Sequence, residues 1–187
     1  MAKVYVFFAN GFEDIEALAP VDILRRGGVE VVTVSINDTN KVESAHGVTI
    51  LTDVTFEEIS SFADADLLML PGGMPGASNL FAHEGVREAL NAQFAAGKKI
   101  AAICASPAVV LAPLGILDGK RATCYPGFED ELMGATPTGT LVEVDGQFIT
   151  GKGPAAVFEF GYAIVEFLKD KATADALRQG MLWSEVR

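Results

Sequence analysis

Cysteine and histidine are both scarce in this chain: Cys104 and Cys124, His46 and His83, and no others in 187 residues. The two cysteines make no CxxC pair and no disulfide framework, so a reducing cytoplasm is the expected compartment. With two histidines a His-rich metal site is excluded, and a base titrating near neutral pH has few candidates. Basic charge is also short. Fourteen Lys and Arg stand against 25 Asp and Glu, a net charge of −11, which argues against nucleic acid or an anionic membrane as partner because both need basic patches. No apolar run approaches the roughly 20 residues that span a bilayer. Ala2-Lys3 leads straight into the strand-like Val4-Tyr5-Val6-Phe7-Phe8, so no signal peptide is expected. Internal repeats, low-complexity tracts and linkers are missing, as are the GxxxxGK[ST] and GxGxxG patterns that cradle phosphates.

Apolar residues make up 50% of the chain, enough for one sizeable core, and residues 1–187 are expected to form one domain. Short apolar runs alternate with helical patterns. Strands are predicted over 3–9, 30–36, 65–70, 99–103 and 121–124. Two hairpins are predicted, one over 42–52 turning near His46-Gly47, the other pairing 140–144 with 147–150 across Asp145-Gly146. Helices are predicted over 15–26, closed by Gly27-Gly28, over 86–96, after Cys104, over 155–168, and in the remaining tail. Strands that are apolar without alternation and interleaved with helices imply a mostly parallel sheet covered on both faces.

In such sheets ligands bind beyond the carboxyl ends of the strands, where the strand order reverses. Three segments should converge there: Asn10-Gly11-Phe12-Glu13-Asp14, Pro71-Gly72-Gly73 and Cys104-Ala105. Cys104 sits on a sharp turn between a buried strand and a helix opened by Pro107, where a helix N-terminus favours the thiolate. The competing reading is a small buried apolar cysteine; the convergence favours the reactive one. Glu16, at the start of the first helix, can donate a hydrogen bond to a thiolate if burial keeps it protonated. Glu13 and Asp14 are read as complements to the helix dipole. Gly72 and Gly73 offer backbone N–H groups in the form of an oxyanion hole.

Asn10-Gly11-Phe12-Glu13-Asp14-Ile15-Glu16 with Pro20-Val21-Asp22, then Leu70-Pro71-Gly72-Gly73, Ala101-Ala102-Ile103-Cys104-Ala105, and Gly153-Pro154 with Phe158-Glu159-Phe160 together resemble the ThiJ/PfpI superfamily, in the branch of the Parkinsonism-associated deglycase and its bacterial relatives. The resemblance runs in order from Lys3 to Leu168. It implies a flavodoxin-like three-layer α/β sandwich, a homodimer, a nucleophilic Cys104, a protonated Glu16 bonded to it, and backbone donors at Gly73 and Ala105. No metal or organic cofactor is implied.

Two departures bear on mechanism. Ala105 stands where the protease-like branch carries His, which disfavours a cysteine peptidase. Tyr125 stands in the segment where the deglycase branch often supplies a His, and a phenol polarises a carbonyl but is a poor base at neutral pH. The base is then Glu16, a water, or a group from a partner subunit, for which His46 is the candidate; the alternative is an exposed turn histidine. His83 is assigned to the surface and Cys124 to the rim of the same pocket. Phe12, Met74, Pro75, Tyr125, Phe128 and Pro154 are expected to wall the pocket. Two functions compete: a cysteine-dependent deglycase or glyoxalase acting on small reactive carbonyls or glycated adducts, and a redox-responsive stress or chaperone protein that senses oxidation at Cys104.

Overall fold

The computed structural model describes residues 1–186. Its centre is formed by β1 (Lys3–Phe8), which leads into α1 (Asp14–Arg26) and then β2 (Glu30–Ser35). From Val4 to Phe8 no residue of β1 alternates to solvent, as expected of a strand with helices on both faces. A hairpin of β3 (Lys41–Glu43) and β4 (Thr49–Leu51) follows, then the short β5 (Val54–Thr55). The chain returns to the centre as β6 (Leu67–Leu70), runs through α2 (Gly76–Ala82) and α3 (Glu84–Ala95), and re-enters as β7 (Lys99–Ile103). Beyond lie β8 (Arg121–Ala122), β9 (Thr136–Pro137), the hairpin β10 (Val142–Asp145) and β11 (Phe148–Gly151), then α4 (Val157–Leu168) and α5 (Lys171–Gly180).

Seven strands form one sheet in the order β10-β11-β7-β6-β1-β2-β5, parallel except for β10. Counting only the long parallel strands in chain order gives 2-1-3-4-5, the flavodoxin-like arrangement, whose order reverses between the first and third strands. α1, α4 and α5 pack together on one face, α2 and α3 on the other. α1 and α4 approach closely because Gly161 lies against Ile23: a Cβ there would stand 2.7 Å from Ile23 Cδ1. The expected three-layer α/β sandwich is the fold observed, and no described helix is long and apolar enough to cross a membrane.

Three local expectations need correction. The helix after Cys104 is a π-helical turn over Pro107–Leu111 followed by a 3₁₀ turn over Ala112–Leu114; Pro113 has no N–H to continue the ladder. The strand over 121–124 shrinks to β8 and pairs with β9 outside the main sheet, since the Thr123 N–H donates to Thr150 Oγ1 at 2.9 Å. The third is α2, which has no counterpart among the sequence-based elements: Gly-Ala-Ser-Asn carries too little apolar periodicity to announce a helix. It ends at His83, which was assigned to the surface. That residue instead caps α3 by accepting from the Val86 N–H at 3.2 Å, and its ring lies 4.6 Å from that of Phe56.

Candidate active site

Cys104 follows β7 directly and takes a left-handed backbone conformation, φ +64°, one of two non-glycine residues with positive φ among those described. Such a conformation is unfavourable for a side-chain-bearing residue and persists where the surroundings over-determine it. Both ends of the residue are held. Its N–H donates to Gly151 O, and its carbonyl accepts from the Tyr125 N–H, each at 2.9 Å. The sharp strand-end turn inferred from sequence is therefore present, with the residue 9% exposed.

The Pro71-Gly72-Gly73 turn reaches the thiol because two of its residues lack Cβ. At Gly72 a Cβ would stand 2.5 Å from both Cys104 Cβ and Glu16 Oε2, and at Gly73 (φ +88°) it would overlap the backbone of Gly11, Phe12 and Glu13. The backbone N–H groups of Gly73 and Ala105 lie beside the Cys104 sulfur and favour its thiolate. Buried Ser106 pins the turn by donating to Pro71 O at 2.5 Å. Sequence reading missed this hydroxyl; its place two residues after the cysteine was the one available signal.

Glu16 enters from α1. Glu13 caps that helix by accepting from the Glu16 N–H at 2.8 Å, in keeping with its reading as a helix-terminus residue. The Glu16 side chain is fully buried. Its Oε2 accepts from the Gly72 N–H at 3.1 Å, whereas Oε1 has no well-formed hydrogen bond and its carboxyl faces the Cys104 thiol. Burial pushes the Glu16 carboxyl up to about 7, with the Glu13 charge adding to the shift. Burial and the negative charge of Glu16 push the Cys104 thiol up to about 12. The expectation that a helix N-terminus lowers this thiol is thus overturned, since burial and a facing carboxylate outweigh the short helical turn. The two groups share their last proton as a unit. A thiolate forms here when that proton sits on Glu16.

Tyr125 and Pro154 line an open groove of about 190 Å³ together with Pro126, Leu141, Lys152 and Gly153. Tyr125 is 44% exposed and meets Cys104 through its backbone, while its ring packs toward Gly153. Its hydroxyl has no hydrogen-bond partner among the described residues. Phe12, expected in the pocket wall, is instead buried against Phe8 with ring centroids 5.1 Å apart. Cys124 is buried too; burial and the charges of Glu129 and Glu131 push its thiol up to about 11.

Asp14, read from sequence as a dipole complement alone, has specific partners. Its Oδ1 accepts from Ser44 Oγ and its Oδ2 pairs with His46 Nδ1, both at 2.7 Å. Among the described residues, Glu13, Asp14 and His46 are the one group bringing metal-type ligand atoms within 4.8 Å of one another, but Asp14 and His46 spend theirs on each other and Glu13 Oε2 on the helix cap.

A parallel sheet of flavodoxin-like order, carrying a strained cysteine, a buried carboxyl and two amide donors at its carboxyl edge, defines a class: α/β proteins with a reactive cysteine at a strand-to-helix elbow. Within that class the chain belongs to the DJ-1/PfpI family, whose model matches residues 2–167. It is 38% identical to protein DJ-1 homolog B of Arabidopsis thaliana over 92% of this chain, though it spans 39% of the length of that plant protein. It is 31% identical to a deglycase of Pyrococcus abyssi, over 89% of this chain and 99% of the archaeal one. Among solved structures it resembles an oxidized DJ-1 of Toxoplasma gondii, with a TM-score of 0.94, 37% identity, and coverage of 97% and 98% of the two chains.

Proposed function

We propose that this chain is a cofactor-independent, cysteine-dependent deglycase or glyoxalase acting on small reactive carbonyls such as methylglyoxal and glyoxal, or on their adducts with biological amines and thiols. The observation that carries this reading is the buried Glu16–Cys104 pair, whose carboxyl is held at about 7, with the Gly73 and Ala105 N–H groups beside the sulfur. A group that accepts the thiol proton near neutral pH both generates the nucleophile and returns the proton later. Cys104 Sγ adds to the aldehyde carbon, and the Gly73 and Ala105 N–H groups stabilise the oxyanion. A proton then moves from that carbon to the neighbouring carbonyl carbon, with Glu16 as carrier, leaving an S-lactoyl thioester. Water cleaves the thioester, releasing lactate and the thiol; the net change is addition of one water. The deglycase name of the archaeal relative supports the reading.

The test is lactate formation from methylglyoxal by the wild type, Cys104→Ala, Glu16→Gln and Tyr125→Phe. Loss of turnover by at least about 100-fold in the first two variants is expected, with a smaller effect at Tyr125, general acid–base groups contributing about 10²–10⁴-fold. Wild-type turnover no faster than Cys104→Ala sinks the proposal.

The second reading, an oxidation sensor, is favoured by one feature. Unpartnered Glu16 Oε1 and the two N–H groups would hold the oxygens of a Cys104 sulfinate as readily as a substrate oxyanion. Selective peroxide modification of Cys104 without carbonyl turnover would favour it. We also propose a homodimer in the cytoplasm. Support comes from Ile15 and Leu18 on α1 and Val48 and Leu51 in the hairpin, large apolar side chains that a lone chain leaves exposed. Sedimentation at micromolar concentration distinguishes one copy from two.

A further inference from the structure

We propose that Ser106 is a positioning residue for the acid–base group of this site: acting through the peptide unit between Pro71 and Gly72, its hydroxyl stabilises the ionised Glu16 carboxyl. The effect on turnover rests on the deglycase reading; the effect on Glu16 is read without it.

Ser106 forgoes the role its place offers. It precedes Pro107 at the start of the π-helical turn, where a serine side chain commonly accepts from the N–H of a following residue. No such cap bond is made. The residue is fully buried, and its Oγ donates instead to Pro71 O at 2.5 Å. β6 and β7 pair as far as Leu70 and Ala102. The Ser106–Pro71 bond ties the two chain segments together again beyond the end of that ladder.

The Pro71 carbonyl and the Gly72 N–H belong to one planar peptide unit and point in opposite directions. The carbonyl accepts from Ser106, while the N–H donates to Glu16 Oε2 at 3.1 Å. Turning that unit would break both bonds, and Gly72, lacking Cβ, does little to resist the turn by itself. The next unit is built alike: Gly72 O accepts from the Glu13 N–H at 3.0 Å, and the Gly73 N–H lies beside the Cys104 sulfur. There the clamp is backbone. At Pro71 it is a side chain, which a single substitution removes.

Two physical effects act in one direction. Holding the carbonyl orients the N–H at the carboxyl, and a hydrogen bond accepted by a carbonyl polarises its peptide, strengthening the N–H as a donor. Donation to a carboxylate favours its charged form, as the Gly72 N–H does for Glu16. Two titratable groups face that carboxyl, Glu13 from the start of the same helix and Cys104 from the elbow after β7. No Lys or Arg forms an ion pair with it among the described residues. Substituting Ser106 leaves both neighbours in place, so a change in Glu16 reports the hydroxyl. The alternative is that Ser106 merely satisfies a buried carbonyl and adds stability alone.

The experiment separates these. The Glu16 carboxyl is titrated by ¹³C NMR, its resonance assigned by comparison with Glu16→Gln, in the wild type, Ser106→Ala, Ser106→Cys and Gly161→Ala. A thiol is a weak donor of similar size. Expected is an upward shift of the Glu16 midpoint by about half a pH unit or more in Ser106→Ala, since a bond to a charged group is weakened. Ser106→Cys should fall between Ser106→Ala and the wild type, and Gly161→Ala should keep the wild-type midpoint. The acid limb of kcat/KM for lactate formation should move with the carboxyl, so that Ser106→Ala is about threefold slower than the wild type below the midpoint. An unmoved Glu16 midpoint in Ser106→Ala, a shift in Ser106→Cys as large as in Ser106→Ala, or an equal shift in Gly161→Ala would each overturn the proposal. Should Ser106→Ala fail to fold, Ser106→Cys decides it, a wild-type midpoint there being the refutation. A wild type without Cys104-dependent turnover would refute the deglycase reading instead, and the carboxyl titration would still judge Ser106.

Discussion

Glu16 sits in an environment far from what its chemistry prefers. A carboxyl held at about 7 rather than 4.5 keeps a proton in the folded protein that the unfolded chain has already lost. Between those values the native state binds more protons, so stability falls as pH rises, opposite to the usual carboxylate. Full burial leaves little solvent screening to discount. Relative to Glu16→Gln, the wild type should lose about 2–3 kcal/mol between pH 5 and pH 8, read from urea unfolding at the two pH values. An equal pH dependence in both proteins would show that Glu16 titrates normally. The same pairing predicts how Cys104 reacts with iodoacetamide. In the wild type the rate should rise through about pH 7, as the pair loses its first proton, and rise again only at high pH; Glu16→Gln should show a single late rise. Cys104 and Glu16 were legible in sequence because strand-end chemistry needs only local pattern: an apolar run, a break, a helix start. The Asp14–His46 pair was not, because 32 residues and a docked hairpin separate its members.

At the scale of elements, the site depends on how closely three chain segments approach, and glycine sets that distance. A Cβ at Gly72 has no empty direction, being hemmed by Cys104, Glu16 and the Ile103 carbonyl. Gly72→Ala should therefore destabilise by about 1–3 kcal/mol and also disturb the Glu16–Cys104 contact, raising the midpoint of thiol alkylation or abolishing its two-step form. Gly161→Ala, which strains the α1–α4 packing against Ile23, should cost a similar amount while leaving the alkylation profile two-step. If both variants alter thiol reactivity alike, the profile reports global stability rather than site geometry. The long elements were readable from apolar periodicity, and Asp145-Gly146 marked the second hairpin, although Asp145 pairs with Phe148 and the turn falls one residue later, on Gly146-Gln147. What escaped were pieces fixed by hydrogen bonds that no period announces: α2, the π-helical turn after Pro107, and the small sheet of β8 and β9.

Over the whole molecule the charge is −11, and the acidic groups are not spread away from the site. Glu13, Asp14 and Glu16 lie within four positions at the mouth of the sheet, and none forms an ion pair with Lys or Arg among the described residues. Such a field should repel anions approaching Cys104 and leave neutral molecules unaffected. That matters for the proposed chemistry, because methylglyoxal and glyoxal are neutral while the carboxylate products are not; the field that admits the substrate speeds release of the acid. Iodoacetate and iodoacetamide carry the same alkylating carbon with and without a negative charge. Each rate at Cys104, normalised to a neutral model thiol, should show iodoacetate disfavoured on the order of tenfold at low ionic strength. Since the screening length falls from about 30 Å at 0.01 M salt to about 3 Å at 1 M, the gap should close steadily as salt is added. Equal normalised rates at low salt would mean that the acidic groups do not govern entry, and that substrate charge is selected by contacts nearer the sulfur.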